Sequence, residues 1–329
     1  MTRSPFDILT DAASAHIISS CLSAVMEVGL PDALADAPRS VDDLAAATGT
    51  HADMLGRVLR LLSSYGIFEA RDGGYAHSPA SLLLRTDHPQ SLSGYARMAN
   101  FPVFRKSFEA ISFTLRTGKP AIEEVFPEGV WKYFGSHPDE ARIFNQAMSD
   151  KSRGVIAGIL ASYDFSRFGT IADVGGGRGH LLRAVLAAAP KAKGILFDLP
   201  TVIQESAGIA SDRLKLQAGS FFADVLPAAD AYLIMQVIHD WSDAEATKIL
   251  SGIRRSAPAH GRLLVIEAVV PDVPGPSWAK MVDVFMLALL AGKERTRSEY
   301  EKLLAGAGFR LERTIDVGQD SAILEAVPI

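Results

Sequence analysis

The chain has 329 residues, enough for two domains of ordinary size and for a buried core that needs neither disulfides nor metals. Hydrophobic residues make up 48% and charged residues 22%, which is typical of a folded protein and excludes wholesale disorder. The net charge of −5 argues against a general nucleic-acid binder, and the single cysteine, Cys21, excludes a disulfide framework or a multi-cysteine zinc site.

Residues 1–95 form a first zone, in which helical patterns alternate with turn residues. Residues 12–26 repeat apolar side chains at helical spacing, and a second helix follows Ser40, whose side chain suits an N-cap. A third helix opens at His51, and Arg71-Asp72-Gly73 then separates two short β-prone runs, which is a hairpin signal. Helices followed by a hairpin are the plan of a winged helix-turn-helix.

Residues 96–165 form a second zone, which is predicted to be helical and is rich in aromatic residues. Most of these aromatic side chains are expected to pack helices together. Some of them are expected to wall an apolar ligand pocket instead, and the candidates are Phe101, Trp131 and Phe134.

Residues 166–329 form a third zone, in which strands and helices alternate. The predicted strands are residues 171–174, 194–198, 231–235 and 263–267, followed by a closing antiparallel pair at 309–317 and 322–327. Regular alternation of this kind predicts a parallel sheet with helices on both faces.

A glycine-rich loop, from Gly175 to Gly179, links the first strand of the third zone to its helix. Asp198 follows Gly175 by 23 residues, at the end of the second strand, where a carboxylate can accept both hydroxyls of a ribose. The dinucleotide fingerprint requires glycine where this chain has His180, so the spacing favours S-adenosylmethionine over NAD. The alternative is a tight structural turn beside a surface aspartate.

Five motifs make the chain resemble the class I S-adenosylmethionine-dependent O-methyltransferases of the caffeate and acetylserotonin type. They are Asp173–Gly179, Gly219-Ser220-Phe221-Phe222, His239-Asp240-Trp241, Gly292-Lys293-Glu294-Arg295-Thr296 and Phe144-Asn145-Gln146-Ala147-Met148. The resemblance covers nearly the whole chain. It implies an α/β fold with a Rossmann-like methyltransferase domain at 166–329, an N-terminal helical winged-helix-like dimerisation domain at 1–95, and a helical linker at 96–165 that contributes to the substrate pocket.

The resemblance also implies the residues of the site. His239 is the expected general base, flanked by Glu267 and Glu294. The residues expected to bind S-adenosyl-L-methionine are Gly175, Gly177, Asp198, Gly219, Ser220, Phe221 and Gln236. The residues expected to bind the substrate are Phe101, Trp131, Phe134, Met148, Asp283, Met286 and Leu287. The chain departs from the family where Ser220 replaces an acid and Met235-Gln236 replaces a basic residue.

The implied chemistry is methyl transfer to a hydroxyl of a small aromatic or polyketide-type natural product. A phenol has a pKa of about 10, so a base near the acceptor oxygen assists as the new bond forms. An imidazole with an unperturbed pKa of about 6.5 is mostly neutral at pH 7 and can take that proton. A carboxylate on its other ring nitrogen fixes the tautomer. For Asp283, within an apolar helix, substrate binding and a buried partner remain equal alternatives.

Two other functions stay open. One is a relative that kept the cofactor but changed its chemistry to hydroxylation or decarboxylation, although retention of His239, Glu267 and Glu294 argues against such drift. The other is a DNA-binding regulator built on the winged-helix-like zone. Its third helix carries only Arg57 and Arg60 as basic residues and is rich in leucine, which suits a dimer interface better than a major groove.

We expect a cytoplasmic homodimer with no nucleic-acid, membrane or metal partner. One cysteine is typical of a reducing compartment, and residues 1–7 do not resemble a secretory signal. The apolar segment 281–291 is interrupted by Asp283 and is too short to cross a bilayer. The eight histidines show no metal-ligand spacing.

Overall fold

The structure is a computed structural model that describes residues 4–329, apart from the side chains of residues 149–151. Contacts divide the chain into two compact units that interleave in sequence. The first unit holds the described residues up to Glu109 together with Val130–Gly154, and the second holds Ala110–Gly129 with Val155–Ile329. The three zones expected from the sequence remain predictions, and Met1, Thr2 and Arg3 lie outside the described residues.

The elements are numbered in chain order. The helices are α1 (Pro5–Glu27), α2 (Leu30–Leu34), α3 (Val41–Thr48), α4 (Ala52–Ser64), α5 (Pro79–Leu82), α6 (Ser93–Met98), α7 (Pro102–Glu109), α8 (Ile111–Thr117), α9 (Ile122–Val125), α10 (Gly129–Ser136), α11 (Pro138–Ser162), α12 (His180–Ala188), α13 (Pro200–Glu205), α14 (Asp243–Ser256), α15 (Trp278–Leu289) and α16 (Arg297–Gly306). The strands are β1 (Phe68–Arg71), β2 (Gly74–His77), β3 (Thr170–Val174), β4 (Lys193–Asp198), β5 (Leu214–Ala218), β6 (Ala231–Met235), β7 (Arg262–Val270), β8 (Arg295–Thr296), β9 (Phe309–Gly318) and β10 (Ser321–Pro328).

The predicted helix-helix-hairpin of the first unit is confirmed. The hydroxyl of Ser40 accepts the Asp43 N–H at 3.1 Å and so caps α3 as expected. Helix α4 buries Leu55, Leu59 and Leu62. Strands β1 and β2 pair antiparallel from Phe68↔His77 to Arg71↔Gly74, so Asp72-Gly73 forms the turn, as the sequence indicates.

Helix α1 is longer than its apolar spacing predicts, because Ser4 and Asp7 form a capping box ahead of Pro5. Within the structure it buries few side chains: Phe6 is 74% exposed and Leu9 is 71% exposed. By length and composition alone, α1 is long and apolar enough to cross a membrane. An exposed apolar surface of this kind is typical of an interaction site.

The second unit is built on a twisted sheet of strand order β5-β4-β3-β6-β7-β10-β9. Strands β3 to β7 pair in parallel, and β10 pairs antiparallel with both β7 and β9. The predicted parallel sheet with a closing antiparallel pair is therefore confirmed. The strand order reverses at β3, and the crevice beside such a reversal is where open α/β sheets bind ligands.

Alternate residues of each strand feed two separate cores, because successive side chains of a strand point to opposite faces. One face carries Ala172, Ile234 and Val265 and is covered by α14 and α16. The other carries Ile171 and Leu233 and is covered by α12 and the last turns of α11. Both faces are covered by buried apolar side chains, so side chains that serve the site must project from strand ends and loops.

Two strands were not predicted from the sequence. Lys215 and Gln217 interrupt the apolar pattern of β5, which lies at the edge of the sheet beside β4. Strand β8 is two residues long and pairs in parallel with the far end of β7, through Val269↔Arg295 and Val270↔Thr296. Strand β8 matters for the site, because it fixes where the preceding residue, Glu294, lies.

The packing of α11 on β9 generates a stability prediction. A Cβ added at Gly158 would lie 2.1 Å from the Val317 carbonyl oxygen. Gly158→Ala should therefore lower the free energy of unfolding by about 1–3 kcal/mol, which is typical of overpacking. Unfolding in urea, followed by circular dichroism, measures this change.

The matched control is Gly135→Ala on α10, where an added Cβ meets no heavy atom within 4 Å. Alanine favours helices by up to about 1 kcal/mol over glycine, so this variant should be neutral or slightly more stable. Equal unfolding midpoints for the two variants would contradict the predicted clash.

Candidate active site

The glycine loop between β3 and α12 opens onto free space. Gly175, Gly177 and Gly179 all have positive φ angles, of 70°, 57° and 69°. A Cβ added at Gly176 would lie 2.5 Å from the Asp173 carboxyl carbon, whereas one at Gly177 would meet nothing within 4 Å. The loop therefore packs tightly on one side and leaves room for a ligand on the other.

Asp198 is joined directly to this loop. One oxygen of its carboxylate, Oδ2, accepts the Gly177 N–H at 2.8 Å, and Oδ1 accepts the Leu199 N–H at 2.7 Å. The Asp198 carbonyl also accepts the Gly219 N–H at 2.9 Å. Each carboxylate oxygen has a second lone pair, so both remain able to accept a hydroxyl.

Asp173 lies beneath the loop, and the site residues expected from the sequence did not include it. Its side chain is buried, and the Leu182 N–H of α12 approaches its carboxylate without forming a well-aligned hydrogen bond. Burial, with the nearby charge of Asp198, raises the pKa of Asp173 to about 7. An unsatisfied buried carboxylate at a ligand-binding loop fits a ligand with a cationic donor such as the ammonium group of S-adenosylmethionine. Its position at the start of the glycine motif was the available signal.

Aromatic rings stand beside the loop. The centroids of Phe221 and Trp241 lie 6.0 Å apart, edge to face, and Phe222 packs 4.8 Å from Trp241. A Cβ added at Gly175 would lie 3.6 Å from the Phe221 ring. The neighbouring Ser220 turns the chain here, since its N–H donates to the Asp224 carboxylate at 2.7 Å. The structure thus brings Gly175, Gly177, Asp198, Gly219, Ser220 and Phe221 to one place.

The turn after β6 approaches the loop from the other side of the sheet reversal. Gln236 has a φ of 53°, which is uncommon for a residue with a side chain, and its N–H donates to the Ile266 carbonyl at 3.0 Å. The next residue, Val237, would lie 3.0 Å from a Cβ added at Gly175. His239 follows two residues later, in a 3₁₀ turn over Ile238–Asp240.

His239 is held between two buried carboxylates. Its Nδ1 lies 2.7 Å from Glu294 Oε1 and 3.5 Å from Glu267 Oε2. Glu267 Oε1 accepts the N–H groups of Val237 and Ile238 at 2.9 and 2.8 Å, so this acid holds the turn itself. With Nδ1–H donating to Glu294, the neutral ring leaves its Nε2 as the proton acceptor.

Sheet register explains how the two acids meet. Met235 pairs with Ile266, so Glu267 lies one residue beyond the end of β6, beside the turn that carries the histidine. Glu267 does not end its strand, as the sequence suggested, because β7 continues to Val270 to pair with β8. That pairing places Glu294, the residue before β8, next to Glu267. Neither acid is a solvated surface charge, since both are almost fully buried.

Electrostatics in this cluster correct one expectation. Burial alone would lower the pKa of His239, but Glu267, Glu294 and Asp240 outweigh it and raise the pKa to about 10. The ordinary imidazole pKa of about 6.5 that the sequence led us to expect is therefore too low for His239. Burial, together with Glu294, raises the pKa of Glu267.

The same three side chains also meet the distance requirement for a metal site. The ligand-type atoms of His239, Glu267 and Glu294 lie within 4.8 Å of one another. Their hydrogen bonds use several of these atoms already, since Nδ1 donates to Glu294 and Glu267 accepts two backbone N–H groups. The absence of a metal partner remains a prediction.

Two further residues fix the segment that carries Glu294. A Cβ added at Gly292 would lie 1.8 Å from the His239 carbonyl oxygen, so the two backbones touch. The Asp283 carboxylate accepts the Glu294 N–H at 3.0 Å, and burial raises the pKa of Asp283. Asp283 therefore has a partner within its own unit, and its binding of substrate stays a prediction.

The residues expected to bind substrate fall in both compact units. In the first unit Phe101, Trp131 and Phe134 join one aromatic cluster through Phe104 and Phe144, with centroids 4.7–6.3 Å apart. Phe101 and Phe134 are buried, whereas Trp131 is 60% exposed. Met148 lies one helical turn beyond Phe144 on α11, and Met286 and Leu287 lie on α15 of the second unit, where Leu287 is exposed.

Comparison with known proteins agrees with this geometry. Residues 108–310 match the family model of the O-methyltransferase domain, and residues 10–87 match the O-methyltransferase dimerisation domain. The chain is 37% identical to phenazine O-methyltransferase PhzM of Lysobacter antibioticus, covering 98% of this chain and 96% of that protein. It is 34% identical to 8-amino-8-demethylriboflavin N,N-dimethyltransferase of Streptomyces davaonensis, covering 94% and 91%.

Among solved structures, the chain is similar to CalO1, a methyltransferase of calicheamicin biosynthesis in its SAH-bound form. The TM-score is 0.92, with 33% identity and full coverage of both chains. The likeness thus extends across the glycine loop, the His239 turn and the N-terminal helices alike. The chain belongs to the family of S-adenosylmethionine-dependent O-methyltransferases that carry an N-terminal dimerisation domain.

Proposed function

We propose that this enzyme methylates a hydroxyl of a small aromatic or polyketide-type natural product, with His239 as the general base. The observation that carries the proposal is the 2.7 Å contact between His239 Nδ1 and the buried Glu294 carboxylate. A base whose other ring nitrogen is held by a carboxylate is oriented as in a hydrolase triad. The His239 turn begins beside Gly175, so the base stands next to the cofactor loop.

S-adenosylmethionine supplies an electrophilic methyl group on a sulfonium, which leaves binding, orientation and deprotonation to the chain. Asp198 accepts the ribose hydroxyls, Asp173 the ammonium group, and the Gly219–Phe221 segment lies along the adenine. Gln236 shapes the turn between the cofactor loop and His239. These assignments rest on the contacts of the loop and on the unsatisfied carboxylate beneath it.

Proton transfer follows from the pKa of His239. A phenol has a pKa of about 10, close to that of this imidazole, so the proton moves between them at little free-energy cost. Neutral imidazole with phenol and imidazolium with phenolate hold the same number of protons. Both hold one proton fewer than protonated enzyme with phenol, so activity should rise with pH up to the pKa.

The acceptor is proposed to be flat and apolar with one aligned hydroxyl. The residues proposed to bind it are Phe101, Trp131, Phe134, Met148, Asp283, Met286 and Leu287. The relatives named for phenazine and for an aminoriboflavin support a fused aromatic acceptor, and the second of them is an N-methyltransferase.

Incubation with labelled S-adenosylmethionine and phenols, phenazines, polyketide aglycones and aromatic amines tests this class of acceptor by mass spectrometry of the products. Labelled amines without labelled phenols would overturn O-methylation.

Two other functions fit the site less well. Methyl transfer to a hydroxyl uses a proton acceptor beside that hydroxyl, and the contacts of His239 with two buried carboxylates fit this role more directly than hydroxylation or decarboxylation. A DNA-binding regulator needs a basic recognition helix, whereas α4 buries a leucine face and offers Arg57 and Arg60. A gel-shift experiment in which the protein retards DNA at low salt would support the DNA-binding regulator instead.

A change at His239 should act on turnover rather than on cofactor affinity. His239→Gln is expected to lower kcat by about 10²–10⁴-fold, because proton removal in the transition state is lost. The affinity for S-adenosylmethionine, measured by calorimetry, should remain unchanged.

In the unmodified enzyme kcat/KM should rise about tenfold per pH unit and level off near pH 10.

The control for this change is His260→Gln, since the His260 side chain is 74% exposed and pairs with Asp230. Turnover of this control should equal that of the unmodified enzyme. Normal turnover of His239→Gln, or a rate independent of pH, would remove the base assignment.

A change at Asp198 should act on cofactor affinity. Asp198→Ala is expected to weaken S-adenosylmethionine binding by about 10- to 100-fold, since a hydrogen bond to a charged group contributes about 1.5–3 kcal/mol. Titration calorimetry measures the dissociation constant, with Asp212→Ala, an exposed acid in the same unit, as the control. An unchanged constant would show that Asp198 does not hold the ribose.

We also propose a cytoplasmic homodimer formed through the N-terminal zone, without nucleic-acid, membrane or metal partners. The exposed apolar side chains of α1, such as Phe6 and Leu9, support a second copy as their cover. The match of residues 10–87 to a dimerisation domain supports the same partner.

Light scattering at micromolar concentration should give twice the chain mass of 35.2 kDa. Leu9→Glu should shift the protein toward the single-chain mass, because a charge placed in an apolar interface is costly. Ser14→Glu, an exposed polar position on α1, is the comparison. If the unmodified protein is monomeric and sediments with lipid vesicles, the dimer proposal is wrong and α1 binds a membrane surface instead.

A further inference from the structure

Arg295 is fully buried in the second unit, although arginine is among the residue types least often found without solvent contact. It opens the short strand β8, directly after Glu294. The family motif includes this position, but the proposed chemistry gives it no role. A buried guanidinium is costly unless each of its N–H groups finds a partner.

All five N–H donors of Arg295 are used. Nε and Nη2 both donate to Asp243 Oδ1, at 2.9 and 2.8 Å. Nη1 donates to the carbonyls of Ile238 and Lys293, both at 3.2 Å, and Nη2 donates to the Trp241 carbonyl at 2.9 Å. A guanidinium offers five donors, so none is left over.

These partners lie on both sides of the active site. Ile238 and Trp241 bracket the turn that carries His239, whereas Lys293 precedes Glu294 in the segment that supplies the second carboxylate. The guanidinium therefore ties the backbone around the imidazole to the backbone around its acid. The contact between His239 and Glu294 depends on the relative placement of these two segments.

We propose that Arg295, anchored by Asp243, is a positioning residue that holds the His239 turn and the Glu294 segment in register for catalysis. This inference rests on the proposed role of His239 as base. Arg295 acts through His239 and Glu294.

Lysine cannot replace arginine at this position. Its ammonium group has three donors at one point, so at least two of the five hydrogen bonds are lost. Three of the acceptors are backbone carbonyls spread over the two segments, which a planar fork spans and a point charge does not. Arg295→Lys thus keeps the positive charge but removes the hydrogen bonds that join the two backbone segments.

The main experiment compares Arg295→Lys with Arg254→Lys. Arg254 lies on α14 and also donates to two backbone carbonyls, those of Gly308 and Ile329. Both variants lose the same kind of bond, so a general loss of stability affects both. Arg295→Lys alone should lower kcat, by about 10- to 100-fold, since small misplacements of catalytic groups cost this much. The KM for S-adenosylmethionine should change little in either variant.

The pH profile separates positioning from stability. A longer distance between His239 and Glu294 weakens the electrostatic attraction that stabilises the imidazolium. The pH at which kcat/KM levels off should then fall by about one unit in Arg295→Lys and stay unchanged in Arg254→Lys. Titration of isotope-labelled histidine by NMR, with His239→Gln to assign the signal, should show the same fall without reference to turnover.

Asp243→Ala serves if Arg295→Lys fails to fold, because the Asp243 side chain is 60% exposed and its loss leaves no buried cavity. Like Arg295→Lys, this variant should lower both kcat and the pKa of His239. Asp243→Asn keeps an oxygen that accepts hydrogen bonds, so it should restore much of the kcat and of the pKa. Lys293→Ala removes the other cation near Asp243, at 3.4 Å, and should change neither.

The outcomes distinguish this inference from the proposed function. Normal kcat and an unshifted His239 titration in Arg295→Lys or Asp243→Ala, with a low kcat in His239→Gln, would overturn the positioning role alone. Normal turnover in His239→Gln would overturn the base assignment, and the NMR titration would still decide whether Arg295 sets the His239–Glu294 contact.

Discussion

Two carboxylates buried beside one imidazole are the constraint on which this active site depends. Glu267 and Glu294 are almost fully shielded from water, where an unpaired negative charge is strongly unfavourable. The His239 ring and the N–H groups of Val237 and Ile238 offset both charges. Imidazole, turn and carboxylates therefore form one electrostatic unit, because moving any member leaves a buried charge without its partner.

Strand pairing turns this constraint into geometry. Strand β6 ends one residue before the level of Glu267 on β7, so the turn after β6 meets a carboxylate that projects from a continuing strand. Strand β8 then pairs with the extension of β7 and brings Glu294 alongside. Three segments that are separate in the sequence thus converge, with Glu267 on strand β7 itself and Glu294 directly before strand β8.

Much of this fold could be predicted from local sequence patterns. The Asp72-Gly73 hairpin, the Ser40 cap and the alternating strands of the third zone each depend on neighbouring residues, and each is confirmed. The glycine loop and Asp198 were also found, since a strand, a turn and a strand-end acid follow one another in order.

What escaped prediction depends on tertiary register and burial. Strand β8 is too short to leave a pattern, and the five bonds of Arg295 join residues that are 2 to 57 positions apart. The raised pKa of His239 was missed for the same reason, because an imidazole pKa reflects the charges packed around it. Asp173 was quoted within a motif, and its unsatisfied burial is visible only in three dimensions.

A hydrogen bond joins the Asp198 carboxylate to the Gly177 N–H in the loop proposed to hold the cofactor. A loop braced in advance loses less conformational entropy when an adenosine group arrives, which favours tight binding. The ribose that we propose for this acid is common to the methyl donor and to the demethylated product left after transfer. Contacts of the proposed ribose site do not distinguish the two, so inhibition by the demethylated product is the expected consequence.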